Sequence, residues 1–323
     1  MKWYRKGVKI LKATIGLVTN SPSLVEEDKF YLLETDFHKI QEIPYSQDLD
    51  GYIYIVDVEG ESPRVFKEDK KITAVGDFTH LHLKSKDLRY SLLGNEGLLY
   101  RYTLKILEEK YGIFSFHACG LFEENKNLFY IIAGGAGSGK TTFLLKGIEE
   151  GFKIFSTEMI HFQIKGEKVV FFKGSLADNI RVGNLKYDYP KAARLLGVKI
   201  PEVENEWGTK ITVDMSTYQT SFDTLEDPSI VLVFPHVEEK REKVIRSPIK
   251  SIRTLTKMIF DNISEKVGES ILLYEELPVE GMDNSALLLK RFQAVRDFLE
   301  KAKIKGSFTL IAGTENCLQE VKL

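Results

Sequence analysis

The run Gly134-Gly135-Ala136-Gly137-Ser138-Gly139-Lys140-Thr141 carries the clearest chemistry in the sequence. It fits the pattern G-x-x-x-x-G-K-[ST] of a phosphate-binding loop. Glycine permits backbone conformations closed to other residues, so successive N–H groups can turn inward onto phosphate oxygens. Lys140 supplies a point charge for the β- and γ-phosphates. Thr141 supplies a hydroxyl for Mg2+, and Thr142 follows it. A helix beginning here directs the positive end of its dipole at the same phosphates. The flanks agree. Leu128 to Ala133 reads as a buried strand, and Thr142 to Glu150 as a helix stopped by Gly151. The expectation is a site for the phosphates of a nucleotide, taken as ATP with Mg2+.

A phosphate loop does not say what becomes of the phosphate. Transfer to an acceptor, transfer to water, and binding without turnover all stay open. The sequence holds no Asn-Lys-x-Asp motif for reading guanine. In many such proteins an apolar strand ending in Asp helps to hold Mg2+. The strongest apolar strand, Ile230 to Phe234, ends in Pro235-His236 without a carboxylate. That leaves Asp214, after Ile211-Thr212-Val213, as a metal candidate or an ordinary turn residue. His80 and His82 share one side of an expected strand, but two histidines without a Cys or carboxylate make a poor metal site. Cys119 and Cys317 each lie beside an apolar run and read as buried free thiols. Glu238-Glu239-Lys240-Arg241-Glu242-Lys243 reads as an exposed stretch of mixed charge.

These residues need elements to position them. A chain of 323 residues allows one large domain or two smaller ones. Its 43% hydrophobic and 28% charged residues exclude global disorder, a collagen repeat and a disulfide scaffold. A net charge of −2 lacks the basic surplus of a dedicated nucleic-acid binder. No apolar stretch approaches the ~18–20 residues that span a bilayer. The basic start, Met1 to Lys6, leads into no signal-peptide core. The expectation is a cytoplasmic protein with no nucleic-acid and no membrane partner.

Residues 1–95 read as a β-rich domain, with strand candidates at Gly51 to Val58, Ile72 to Val75 and His80 to Leu83. The pattern changes near Gly94. Leu98, Leu99, Tyr102, Leu104, Ile106 and Leu107 fall at helical spacing, ending at Gly112. Strands and helices then alternate. Strands are expected at Ile113 to Phe116, Lys153 to Phe155, Met159 to Ile164, Lys168 to Phe172 and Phe308 to Ala312. Helices are expected at Asp188 to Leu196 and Asp283 to Ala302. Residues 96–323 therefore read as a mixed α/β domain.

Four features follow in order between Phe116 and about Gly174. A helix leads into a His-containing strand, Phe116-His117-Ala118-Cys119-Gly120. A short turn, Glu123 to Asn127, comes next. The loop and a Thr-Thr-Phe-Leu-Leu helix then run to Gly151. Phe152 to Ile160 supplies a strand, the pair Thr157-Glu158, and the start of another strand. This order resembles the HPr kinase/phosphorylase family and its wider group of HPr-kinase-like P-loop kinases.

The resemblance implies an α/β P-loop kinase core; the β-rich N-terminal region, residues 1–95, lies outside it and is a candidate for recognising the acceptor. It implies transfer of the γ-phosphate to a hydroxyl, a serine of a protein or peptide by family analogy. A small-molecule hydroxyl is one alternative. A nucleotide-binding regulatory or assembly module without turnover is the other. His117 would then lie near the transferred phosphate as a buried imidazole, and Arg181 would reach the γ-phosphate. The family carries Asp-Asp where this chain has Thr157-Glu158. Glu158 stands at the second position, as base or metal partner with Thr141, whereas Thr157 is no base at neutral pH.

Overall fold

The computed structural model describes residues 2–26, 37–238 and 241–322. Glu239 and Lys240 of the mixed-charge run lie outside the described residues. Beside them, Glu238 and Arg241 form an ion pair at 2.6 Å. The chain divides into two units, Met1–Gly112 with Ser264–Leu289, and Ile113–Ile263 with Lys290–Leu323.

In the first unit, β1 (Tyr4–Ile10) and β2 (Ala13–Thr19) form a hairpin that buries Val8, Ile10, Ala13, Ile15 and Leu17. The short helix α1 (Ser23–Glu26) follows, then β3 (Ile40–Ile43), β4 (Gly51–Asp57), β5 (Arg64–Glu68) and β6 (Lys71–Gly76). They make a six-stranded sheet in the order β3-β1-β2-β4-β6-β5. The strand expected over His80 to Leu83 is instead a helix, α2 (Phe78–Lys84). Asp77 caps it by accepting from the His80 N–H, and Phe78 and Leu81, three apart, turn inward. His80 and His82 therefore share no face, because residues two apart on a helix point about 200° apart.

The helix α3 (Leu98–Tyr111) stops at Gly112, as its spacing predicts. Its Tyr102 ring packs so closely on Gly51 of β4 that a Cβ there would lie 2.7 Å from the ring. This packing draws the helix into the first unit, and the division falls at Gly112 rather than near residue 95.

In the second unit the elements are β7 (Ile113–Glu123), β8 (Leu128–Ala133), α4 (Lys140–Glu149), β9 (Lys153–Ser156), β10 (Met159–Lys165), β11 (Lys168–Lys173) and β12 (Ala177–Arg181). Next come α5 (Pro190–Leu195), β13 (Lys210–Asp214), β14 (Thr224–Glu226), β15 (Ser229–Glu238), β16 (Ile245–Pro248) and α6 (Ile252–Gly268). The chain re-enters the first unit at Ser264, within α6, and continues through the hairpin β17 (Ile271–Leu273) and β18 (Leu277–Val279). Arg101 belongs to the same unit and donates to Lys266 O (2.7 Å) and Glu269 O (2.9 Å), which caps the end of α6. The helix α7 (Ser285–Lys301) and β19 (Lys303–Gly313) complete the chain's regular structure.

The nine-stranded sheet runs β14-β11-β10-β7-β8-β15-β19-β16, with β9 paired to β7. Here β8, β15 and β19 are parallel, while β7, β10, β11 and β14 are antiparallel to their neighbours. The architecture is mixed α/β. Both faces of the central strands are covered, as their unbroken apolar runs predict. Leu121, Tyr130 and Ile132 pack with Phe143, Leu144 and Ile148 of α4. On the other face Phe116, Phe129 and Ile131 pack with Ile259 and Ile263 of α6 and Phe298 of α7. Each such buried side chain contributes about 1.5–3 kcal/mol. This packing holds β7, β8 and α4 in register, and these three elements carry the site. Among the described residues no helix is long and apolar enough to cross a membrane.

Candidate functional site

The glycine-rich segment leaves β8 and turns directly into α4. Gly137 and Gly139 hold the turn in left-handed conformations, at φ +79° and +106°. At Gly139 a Cβ would also lie 2.6 Å from the Val237 Cβ of β15, so a side chain is barred on two counts. Val237 N–H donates to Ser138 O (3.1 Å), and Gly134 N–H donates to His117 O (3.1 Å). The segment is thus tied to β15 on one side and β7 on the other.

Lys140 opens α4 and is buried. Its ammonium donates to Gly134 O (2.8 Å) and Gly135 O (3.2 Å) and meets His117 Nε2 at 2.9 Å. Glu158 Oε1 lies 3.7 Å from the ammonium and also contacts His117 Nε2. An ammonium only donates, so beside Lys140 the imidazole Nε2 must present a lone pair. Beside the Glu158 carboxylate the same nitrogen is satisfied by carrying a proton. One nitrogen cannot do both at once. The three groups therefore form one buried polar cluster at the start of α4.

Backbone geometry fixes this cluster. His117 pairs with Met159 across β7 and β10, and Ala118 N–H donates to Glu158 O (2.9 Å). Asn262 of α6 grips the His117 peptide from the open side. Its Oδ1 accepts from His117 N–H and its Nδ2 donates to His117 O, both at 3.0 Å.

The residue after Lys140 finds a second carboxylate. Thr141 Oγ1 donates to Asp178 Oδ2 at 2.8 Å. The Asp178 carboxyl is lifted to about 6, first by its loss of hydration and then by the nearby Glu158 charge. The Thr141 hydroxyl, the Asn179 N–H and the Lys140 charge oppose that rise. Thr157 is buried and structural. Its N–H donates to Ser175 O (2.8 Å) and its hydroxyl to Ala177 O (2.6 Å). It joins the end of β9 to the start of β12 and so helps to set where Asp178 stands.

Of the residues expected from sequence, the structure brings together Lys140, Thr141, His117 and Glu158. It adds Asp178 and Asn262, which sequence reasoning missed. Arg181 does not join them. It is exposed at the end of β12, three residues beyond Asp178, and so faces the opposite side of the strand. Asp214 also stays apart. It is exposed and accepts from the Ser216 N–H (2.8 Å) and hydroxyl (2.9 Å), so it caps a turn. The Thr142 side chain lies near Tyr189, whose phenol burial pushes upward. Cys119 and Cys317 are buried free thiols, both pushed up by burial.

Among the described residues no group of three or more His, Cys, Asp and Glu side chains could hold a metal ion. Mg2+ carried with a nucleotide asks for less, because one or two carboxylates suffice when phosphates and water complete the shell. Thr141, Asp178 and Glu158 meet that requirement. No family model matches the chain, and no curated protein matches it in sequence.

Proposed function

We propose that the chain is an ATP-dependent phosphotransferase with an HPr-kinase-like phosphate loop at Gly134 to Thr141. The observation behind this reading is a convergence at the start of one helix. Lys140 stands with His117 and Glu158, and Thr141 with Asp178. Catalysis of this kind rests on positioning and charge stabilisation more than on covalent chemistry.

Lys140 would exchange the Gly134 and Gly135 carbonyls for phosphate oxygens. Thr141 and Asp178, with Glu158, would hold Mg2+, which supplies charge neutralisation on the phosphates. Glu158 would accept the proton of the acceptor hydroxyl, with His117 holding the carboxylate in place. The acceptor would be a serine of a protein or peptide, or the hydroxyl of a small molecule. Incubation with labelled ATP, Mg2+ and candidate acceptors tests the reading. Transfer should occur and should vanish in both Glu158→Gln and Lys140→Ala. Tight ATP binding with no transfer to any acceptor, or to the protein itself, contradicts it.

A nucleotide-binding module without turnover is the second reading. The structural role of Thr157, where the kinases it resembles carry a carboxylate, favours it. Wild-type turnover no faster than that of Lys140→Ala would select this reading.

A further inference from the structure

The hairpin that carries Asp178 has a second, outward face. On β12 and β13, Ile180 and Val213 are buried, while Arg181, Lys210, Thr212 and Asp214 are exposed. The register sets Arg181 directly opposite Lys210. Like charges directly opposite destabilise a sheet. Neither side chain has a hydrogen bond or ion pair among the described residues.

Two residues beyond Arg181, where the chain leaves the strand for a helical turn, Gly183 has no side chain, and Trp207 occupies the space. A Cβ on Gly183 would lie 2.6 Å from the indole. The Trp207 ring is 47% exposed and stacks on Tyr187, itself 56% exposed, with centroids 6.1 Å apart and planes 25° from parallel. Lys186 sits over the Tyr187 ring at 5.3 Å and pairs with Glu206 at 2.5 Å, fixing the rim of the stack. An unpaired like-charge couple and a water-facing aromatic stack both work against folding. The couple stands on the outward face of the hairpin that bears Asp178, and the stack adjoins the Arg181 end of that hairpin through Gly183.

We propose that this face docks an acidic protein segment. Arg181 and Lys210 receive its carboxylates, and an apolar side chain lies on the Trp207–Tyr187 stack. Single-stranded nucleic acid also seeks cations and rings. It needs a basic groove along its backbone, however, and this face has one unpaired basic couple. The assignment does not depend on the nucleotide reading.

The chain has two tryptophans, so a Trp3→Phe background leaves Trp207 as the only indole signal. The probes are a synthetic peptide of glutamates flanking a central phenylalanine, the same peptide with lysines for glutamates, and oligo-dT. The acidic peptide should shift Trp207 emission saturably and lose affinity with added salt. The lysine peptide and oligo-dT should bind weakly or not at all. Kd should rise about tenfold in Arg181→Glu/Lys210→Glu, and also in the milder Arg181→Ala/Lys210→Ala. Melting curves would establish that both double variants are folded. Absence of saturable binding, equal affinity in folded variants, or tighter binding of oligo-dT would each overturn the proposal. ATP binding, measured separately on the same background, reports on the nucleotide reading alone.

Discussion

Asp178→Asn should make the protein more stable while making its site less capable. The Asp178 carboxyl is lifted from an ordinary 3.8 to about 6. In the absence of Mg2+, the folded state therefore holds this proton more tightly than the unfolded chain does. Between about pH 4 and pH 6 the folded state carries one proton more. Stability falls as pH rises through that window and is level above it. A lift of this size means that keeping the carboxylate ionised above pH 6 costs about 3 kcal/mol. Asparagine removes that cost and still offers an oxygen to the Thr141 hydroxyl. The Thr141 bond to the charged form is already included in that lift. The variant should thus be about 3 kcal/mol more stable at pH 8, with the advantage gone below pH 4. Urea unfolding in EDTA at pH 8, 6 and 4 reads this directly. A variant less stable than wild type at pH 8, or a difference that ignores pH, refutes the reasoning. On the proposed function, adding Mg2+ and ATP should then raise wild-type stability more than that of the variant, because the carboxylate retained at a cost would be the one that serves the ligand.

Gly139→Ala should lower stability by about 1–3 kcal/mol, read by thermal melting, because its φ of +106° and the adjacent Val237 both oppose a side chain. Asn262→Ala removes both bonds to the His117 peptide and should cost about 1–3 kcal/mol in urea unfolding. Any phosphotransfer should slow in that variant, while Asn262→Asp, which keeps the acceptor, should retain more of it. Thr157→Val should free the start of β12 and weaken Mg2+-dependent ATP binding without touching the loop, a change that calorimetry with and without Mg2+ would detect.

The loop and its flanks were legible because each part is local. Leu128 to Ala133 is continuously apolar, the glycines mark the turn, and Gly151 stops the helix. Other elements hid for physical reasons. The β1–β2 hairpin turns at Leu11-Lys12 with Leu11 at φ +53°, a turn carrying no Gly, Asn or Asp. His80-Leu81-His82-Leu83 alternates like a strand over too few residues to tell the two periods apart, and the Asp77 cap decides for helix. In α6 the stripe Leu255, Ile259 and Ile263 is regular, but charged and polar residues surround it. The return of Ser264–Leu289 to the first unit depends on long-range contacts such as those of Arg101, which no local pattern displays.

The site divides the same way. Lys140 and Thr141 follow from the motif, and His117 and Glu158 were expected from the family resemblance alone. Asp178 had one signal, its alternation with Ile180 on a strand whose inner face is buried. That signal becomes usable only when the packing of β12 is known. The same alternation sends Arg181, expected from the resemblance, to the other face.

The most direct test of nucleotide binding at Lys140 is a calorimetric titration of Mg2+-ATP into wild type and Lys140→Ala. The expected result is saturable binding to wild type that weakens about 10- to 100-fold in the variant, the loss of a charge-assisted set of contacts. Absence of binding to wild type, or equal affinity in the two proteins, would contradict it.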